Sequence, residues 1–342
     1  MQPLVSILLP CYNAEKYLKY SLDSILNQDY KNLEILCIND GSSDSTLEIL
    51  NFYKSKDERI SIVNNEENIG LIRSLNKVLK LVKGDYFARM DADDYSTPDR
   101  ISKQVNFIDS QPDIDLVSSA YNYFFVDGQK KQYIPPIAFK PNSLKFLSLF
   151  CTPLTHASIL GKSSLIRSGL FAYDHDYPYA EDFELFSRLS WNGVKIGTMG
   201  ESLYWVRLHS ESVSVKHNSI QFQTNLSIIE RNIFSYVKVS VLLDDALKGL
   251  LACRINSLIS FKQITIAFSI FDKCLDKVKG DLKNEEMQEI NKHLLAHKLN
   301  ILIQVNKIRF KVLGFKNIAF FIKSFFCMNF YQFFLLIRKL RS

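Results

Sequence analysis

Three carboxylates within four residues, Asp91, Asp93 and Asp94, follow the apolar-rich Tyr86-Phe87 and precede Tyr95-Ser96-Thr97-Pro98. Like charges this close repel, and desolvating them together is costly unless a cation lies between them. Hard divalent cations such as Mg2+ and Mn2+ prefer oxygen donors, commonly one or two carboxylates plus substrate phosphates. Taken alone, the run also reads as a solvated acidic turn, because short motifs match by chance. A second acidic pair, Glu181-Asp182, opens an amphipathic run in which Phe186 and Leu189 recur at helical spacing. Asp182 is therefore expected in the first helical turn on the inward face, where it also complements the helix dipole.

The elements that position these groups alternate. Leu4 to Leu9 is a continuous apolar run ended by Pro10, as expected of a strand buried on both faces of a parallel sheet. A helix over Ala14 to Asn27 follows, with Leu18, Leu22, Ile25 and Leu26 on one stripe. The run Leu33 to Ile38 is a second strand, and Asp44 or Ser45 is placed to cap a helix over Thr46 to Lys54. A strand at Ile60 to Val63, a helix from Leu71 that stops at Gly84, and the strand before the acidic run complete the pattern. Strands alternating with helices predict an α/β fold with a doubly wound, mostly parallel sheet. Ligands bind such sheets beyond the carboxyl ends of the strands. Tyr12-Asn13, Asp40-Gly41 and Asp91 to Asp94 each follow a strand, so they should gather on one rim. Further on, a helix runs from Arg100 to about Asp109, Leu116 to Val126 reads as a strand, and Lys131 to Pro141 is irregular. Val194 to Met199 and Leu203 to Val206 read as two short strands.

The 342 residues suggest a domain at 1–219 and a helical C-terminal region at 220–342. A net charge of +6 is modest and gives no reason to expect nucleic acid, but Val305 to Ser342 holds eight Lys or Arg and no acid. That tail is rich in Phe and Leu, and Lys323 interrupts it. It reads as a helix lying on the inner leaflet of the cytoplasmic membrane rather than crossing it, the alternative being a core helix with a basic face. The six cysteines are scattered and form no CxxC, as reduced cytosolic thiols would. The N-terminus has no basic segment followed by a long apolar one, so the catalytic part is expected in the cytoplasm.

No GxGxxG follows the first strand and no P-loop occurs. Phosphates are then not cradled by a glycine loop, and a metal is the natural neutraliser. In order along the chain come Val5-Ser6-Ile7-Leu8-Leu9-Pro10-Cys11-Tyr12-Asn13, Asn39-Asp40-Gly41-Ser42-Ser43-Asp44, Asn68-Ile69-Gly70 with Arg73, Asp91-Ala92-Asp93-Asp94, Glu181-Asp182 and Arg207-Leu208-His209. Over residues 3 to 215 this set resembles glycosyltransferase family 2, whose members have a GT-A fold. The opening and the Ala-Arg-x-Asp-Ala-Asp-Asp stretch also resemble bacterial β-1,3-N-acetylglucosaminyltransferases that extend lipooligosaccharide.

The resemblance implies a UDP-sugar donor, Mn2+ or Mg2+ as cofactor, and a glycan or glycolipid acceptor. It implies that Asp40 accepts from the uracil N–H and that Pro10, Tyr12 and Asn13 shape the uridine pocket. Asn68, Gly70 and Arg73 would hold the base or diphosphate. Asp91, with Ala92, would meet the ribose or metal, Asp93 would ligate the metal, and His209 would add a ligand or phosphate contact. Asp182 would be the general base, kept ionised by its helix N-terminus, with Glu181 the next candidate and His156 an acceptor contact. Inversion from an α-linked donor to a β-linked product follows from a base opposite the leaving group. The Gln-x-x-Arg-Trp motif of processive synthases is absent, so one sugar per encounter is expected. The competing readings are a sugar-1-phosphate nucleotidyltransferase, which wants a glycine-rich N-terminal loop, and a non-catalytic sugar-nucleotide binder or membrane-assembly subunit.

Overall fold

The structure is a computed structural model and describes residues 2–125, 131–133, 139–152, 154–209, 217–238, 244–251 and 259–313. The chain divides into two compact units. One holds residues up to Leu144 and Thr152–Gln221, the other Lys145–Cys151 and the chain from Phe222 onward.

The first unit begins with β1 (Val5–Cys11), α1 (Leu18–Leu26), β2 (Leu33–Asp40), α2 (Thr46–Lys54), β3 (Ile60–Asn65), α3 (Leu71–Leu79) and β4 (Tyr86–Arg89). It continues with β5 (Tyr95–Ser96), α4 (Arg100–Ser110), β6 (Leu116–Phe125), β7 (Lys131–Gln132), α5 (Pro141–Leu147), β8 (Ile159–Lys162), α6 (Ser164–Arg167), α7 (Glu181–Trp191) and β9 (Ile196–Leu208). The sheet order is β3-β2-β1-β4-β8-β6-β9-β5, with β7 beside β6. The block β3-β2-β1-β4 is parallel, as alternation of strands and helices requires. Beyond it β8 runs antiparallel to both β4 and β6, and β5 antiparallel to β9, so the sheet is mixed. That half follows no strand–helix–strand rhythm in the sequence, which is why only the first half could be read as parallel.

Apolar layers cover both faces of the sheet. On one side α1 contributes Leu18, Leu22 and Ile25 and α4 contributes Ile101, Val105 and Ile108, all but inaccessible. On the other, α3 contributes Leu75, Val78 and Leu79 and α7 contributes Leu185, Phe186 and Leu189. Truncating such a side chain, for example Leu22→Ala, costs about 2–5 kcal/mol.

Two sequence expectations need correction. Pro10 does not end β1. Met90 donates its N–H to the Leu8 carbonyl, so Leu8 and, by alternation, Pro10 face β4. The β1–β4 ladder stops at the Leu8–Arg89 pair, so the missing proline N–H is not needed there. The two short strands expected after Val194 are one thirteen-residue strand, β9, which absorbs Gly200 and Glu201 through register shifts opposite Ser119 and Ala120.

The second unit is helical: α8 (Asn218–Asn232) runs into a π-helical turn at Ile233–Val237, followed by α9 (Asp245–Leu251), α10 (Phe261–Val278) and α11 (Asn284–Leu313). Ser260 and Gln263 form a capping box on α10, satisfying backbone donors that the helix start leaves open. Among the described residues no helix is long and apolar enough to cross a membrane. The Phe-rich basic tail from Lys316 lies outside the described residues.

Candidate active site

The acidic loop leaves β4 at Arg89, and ligand oxygens of Asp91, Asp93 and Asp94 lie within 4.8 Å of one another. Each carboxylate is held differently. Asp91 Oδ1 is 2.8 Å from Arg89 Nη2. Asp94 is buried; its Oδ1 accepts the Arg207 N–H at 2.8 Å, and the Tyr204 hydroxyl also bonds to it. The same hydroxyl accepts the Asp91 N–H at 3.1 Å. Asp93 Oδ2 is 2.8 Å from His209 Nε2, and the Asp93 carbonyl accepts from Arg207 Nε at 2.7 Å. Thus β9 brings Tyr204, Arg207 and His209 onto the loop that β4 delivers.

The electrostatics follow from crowding and burial. Burial pushes the Asp91 carboxyl up, Arg89 pulls it back, and Asp93 adds repulsion. Asp94 is pushed well up by burial and by Asp93 and Asp91. A cluster that resists carrying its full negative charge is the setting a hard cation relieves. The oxygen donors fit Mn2+ or Mg2+, and the 2.8 Å between Asp93 Oδ2 and His209 Nε2 approaches the roughly 3 Å edge of an octahedral site with ~2.1 Å bonds. Asp91, Asp93 and Asp94, with His209 beside Asp93, are placed to hold such an ion.

On the β2–β3 side Asp40 is buried, and its carboxylate organises the loop before α3. Oδ1 accepts from Asn65 Nδ2 at 2.8 Å and the Ile69 N–H at 3.0 Å, and Oδ2 from the Gly70 N–H at 2.9 Å. Asn68 Oδ1 shares that Gly70 N–H at 3.0 Å. A carboxylate offers about four lone-pair positions, so capacity for one further donor remains. Gly41 has φ +64°, and a Cβ there would lie 2.3 Å from the Glu67 carbonyl carbon, so only glycine lets the two loops touch. Asn13, at φ +46°, ties this loop to β1: its N–H donates to Ser42 Oγ and its Oδ1 accepts from the Ser43 N–H. Pro10 is buried, and Tyr12 beside it is exposed. Asp44, rather than Ser45, satisfies the start of α2 by accepting the Thr46 N–H. Arg73 lines a surface cavity with Asn76, Lys77, Lys80 and His175.

Glu181 and Asp182 open α7 as expected, Glu181 buried and Asp182 half-buried. At Asp182 burial works against the helix N-terminus. Its Oδ1 does accept the Phe183 N–H at 2.7 Å, but burial outweighs that bond and raises its pKa. Glu181 is pushed up to about 7, by burial first and the Asp182 charge second. Arg89 acts on both carboxylates in the opposite sense. His156 is anchored: its Nε2 lies 2.7 Å from the Tyr173 hydroxyl, and its ring packs edge-on to Phe186 of α7. Asn76 grips Tyr173 in turn, accepting its N–H at 2.9 Å and donating to its carbonyl at 2.7 Å.

The structure therefore brings together Asp91, Ala92, Asp93 and His209 in one cluster, and Asp40, Asn68 and Gly70 in another. Arg89, Tyr204 and Tyr173 were not singled out from sequence. For Arg89 a signal existed, because a guanidinium two residues before Asp91 at the end of an apolar strand requires a carboxylate partner. The two tyrosines gave none.

Residues 6–172 match the sequence model of glycosyl transferase family 2. An uncharacterized glycosyltransferase of Haemophilus influenzae is 36% identical over 245 residues, 69% of this chain and 75% of the relative. The Escherichia coli protein named UDP-Glc:alpha-D-GlcNAc-diphosphoundecaprenol beta-1,3-glucosyltransferase WfaP is 29% identical over 231 residues, 65% of this chain and 85% of that one. Staphylococcus aureus TarS, solved in complex with UDP, matches with a TM-score of 0.55 at 20% identity, over 94% of this chain and 89% of the TarS chain. The fold is that of the GT-A glycosyltransferases. The chain belongs to glycosyl transferase family 2.

Proposed function

We propose that this glycosyltransferase moves one hexose or N-acetylhexosamine from a UDP-sugar to a hydroxyl of a cell-surface glycan acceptor, such as lipooligosaccharide, O-antigen or capsule, forming a β-linkage. The observation that carries the reading is the acidic loop, with Asp93 against His209, in the same electrostatic neighbourhood as a second, desolvated carboxylate pair, Glu181-Asp182. The names of WfaP and of the TarS complex support UDP as the nucleotide.

Asp40 receives the uracil N–H with its remaining acceptor capacity, and Asn13 and the Asn68–Gly70 loop frame the base. Asp93 and His209 hold Mn2+ or Mg2+, and Asp91, fixed by Arg89, contacts the ion or the ribose. When bound, the ion offsets the charge that builds up on departing UDP. Asp182 takes the proton of the acceptor hydroxyl as its oxygen bonds to the anomeric carbon and the bond from that carbon to the phosphate oxygen breaks. A carboxyl raised by burial is a stronger base once ionised, which suits that transfer. Glu181 shares the titration and is the more enclosed of the two. The basic C-terminal region seats the enzyme peripherally on the inner face of the cytoplasmic membrane.

The test is a panel of UDP-sugars scored for UDP release with and without Mn2+. Release from one or a few donors that stops in EDTA supports the reading. Metal-independent release, or tight binding without any turnover, overturns it.

A further inference from the structure

The acidic loop borders an aromatic surface that the reaction chemistry leaves unused. Tyr95 and Trp205 are direct partners across the β5–β9 ladder, so their rings share one face of the sheet. Tyr20 of α1 lies against Tyr95 at 5.2 Å between ring centroids, and Tyr133 lies against Trp205 at 5.5 Å. Tyr20 is 47% and Tyr133 69% exposed, although large aromatic side chains usually seek cover. The row is continuous with the catalytic loop. The Arg207 guanidinium sits 4.2 Å from the Phe124 ring centre and 5.1 Å from that of Tyr20, and the same side chain donates to the Asp93 carbonyl. Arg207 is also 4.5 Å from the Tyr17 ring, which packs on His209.

We infer that Tyr20, Tyr95, Trp205 and Tyr133 form a platform for the acceptor saccharide, on which pyranose rings stack. This inference rests on the glycosyltransferase reading. Pyranoses present flat C–H faces rimmed by hydroxyls. Two exposed rings, Tyr20 and Tyr133, beside the half-buried Tyr95 and Trp205, match both features: apolar faces for the C–H patches and, from the three phenolic hydroxyls, polar edges for the rim. The platform lies at the β6-β9-β5 end of the sheet, whereas the loop organised by Asp40 lies at β2–β3, the opposite end. A donor whose base occupies the Asp40 loop leaves the aromatic end free for the acceptor.

The test titrates the full chain, with UDP and Mn2+ present, with the p-nitrophenyl β-glycosides of glucose, galactose and N-acetylglucosamine. Binding is followed calorimetrically. Saturable binding of at least one glycoside, weakened about tenfold by Tyr20→Ala and by Tyr133→Ala and restored by Tyr20→Phe and Tyr133→Phe, is the expected result. UDP affinity should stay at the parent value in all four variants. Both positions are exposed, so the alanine variants should fold, which circular dichroism checks. Binding of no glycoside while UDP still binds, or glycoside affinity indifferent to both alanine variants, overturns the platform and leaves the donor reading standing. Binding of phosphatidylglycerol vesicles that both alanine variants abolish, with no glycoside bound, assigns the surface to lipid and likewise overturns it. Failure of UDP to bind the parent chain would instead sink the donor reading itself.

Discussion

His209 Nε2 lies 2.8 Å from Asp93 Oδ2, although the two residues are 116 positions apart and arrive on different strands. Together they offer an oxygen and a nitrogen donor to one hard cation. Asp93→Ala should therefore weaken UDP binding in saturating Mn2+ by at least the ~10–100-fold that even outer-shell partners of a metal are worth. In EDTA the variant and the parent should bind UDP alike. Calorimetric titration in the two buffers measures both; equal affinities in Mn2+ would remove Asp93 from the metal site.

Asp182→Asn keeps the size and hydrogen-bonding reach of the side chain but cannot take a proton. The proposed base role predicts a fall in kcat of about 10²–10⁴-fold with UDP-sugar affinity nearly unchanged. A helix-dipole role predicts instead a loss of only about 0.3–1 kcal/mol of stability and an intact rate. Steady-state kinetics and thermal melting on the same variant separate the two.

The pair at the head of α7 also sets a pH signature. Glu181 is pushed up to about 7 and Asp182 is raised, so transfer should fall as pH drops below about 7, where the pair holds a proton. Stability moves the other way. Between about 4.5 and about 7 the folded protein keeps a proton on Glu181 that the unfolded chain has released, so stability declines as pH rises through that window. Glu181→Gln should flatten this decline. Melting temperatures at several pH values between 4.5 and 8 would show it, and an unchanged slope would mean the decline arises elsewhere.

Gly41→Ala should be severe for a surface loop. The left-handed backbone and the 2.3 Å approach to the Glu67 carbonyl carbon leave no room for a methyl group, so a loss of at least ~1–2 kcal/mol is expected. Because the displaced loop follows Asp40, UDP affinity should drop as well. Denaturant unfolding and UDP titration check the two effects together.

Asp40→Asn tests the same loop from the inside. The amide nitrogen replaces one oxygen; placed at Oδ2 it faces the Gly70 N–H donor to donor, and its own buried N–H is left without an acceptor at a cost of about 1–3 kcal/mol. A stability change below that range would mean the loop holds together without the charge.

Much of this was legible in the chain because local rules govern it. The block β3-β2-β1-β4 with its helices follows from apolar runs and helical stripes, and a parallel block places strand ends on one rim, so Asp40 and Asp91 to Asp94 were expected on one rim. Elements whose partners are distant were not legible. Nothing in Tyr95-Ser96 marks a strand, and it becomes one only because Trp205 and Tyr204 pair with it. Pro10 reads as a stop and is not one, because its β4 neighbour has already left the ladder. The upward push on the Asp182 pKa was not legible for the same reason: a helix N-terminus is visible in sequence, whereas the burial that opposes it belongs to the packed molecule. Residue types and their order therefore determined the family of chemistry. Which carboxylate is held by Arg207 and Tyr204 and which is left to His209 was decided by tertiary structure alone, since hydrogen bonds and desolvation depend on distances that only the folded chain creates.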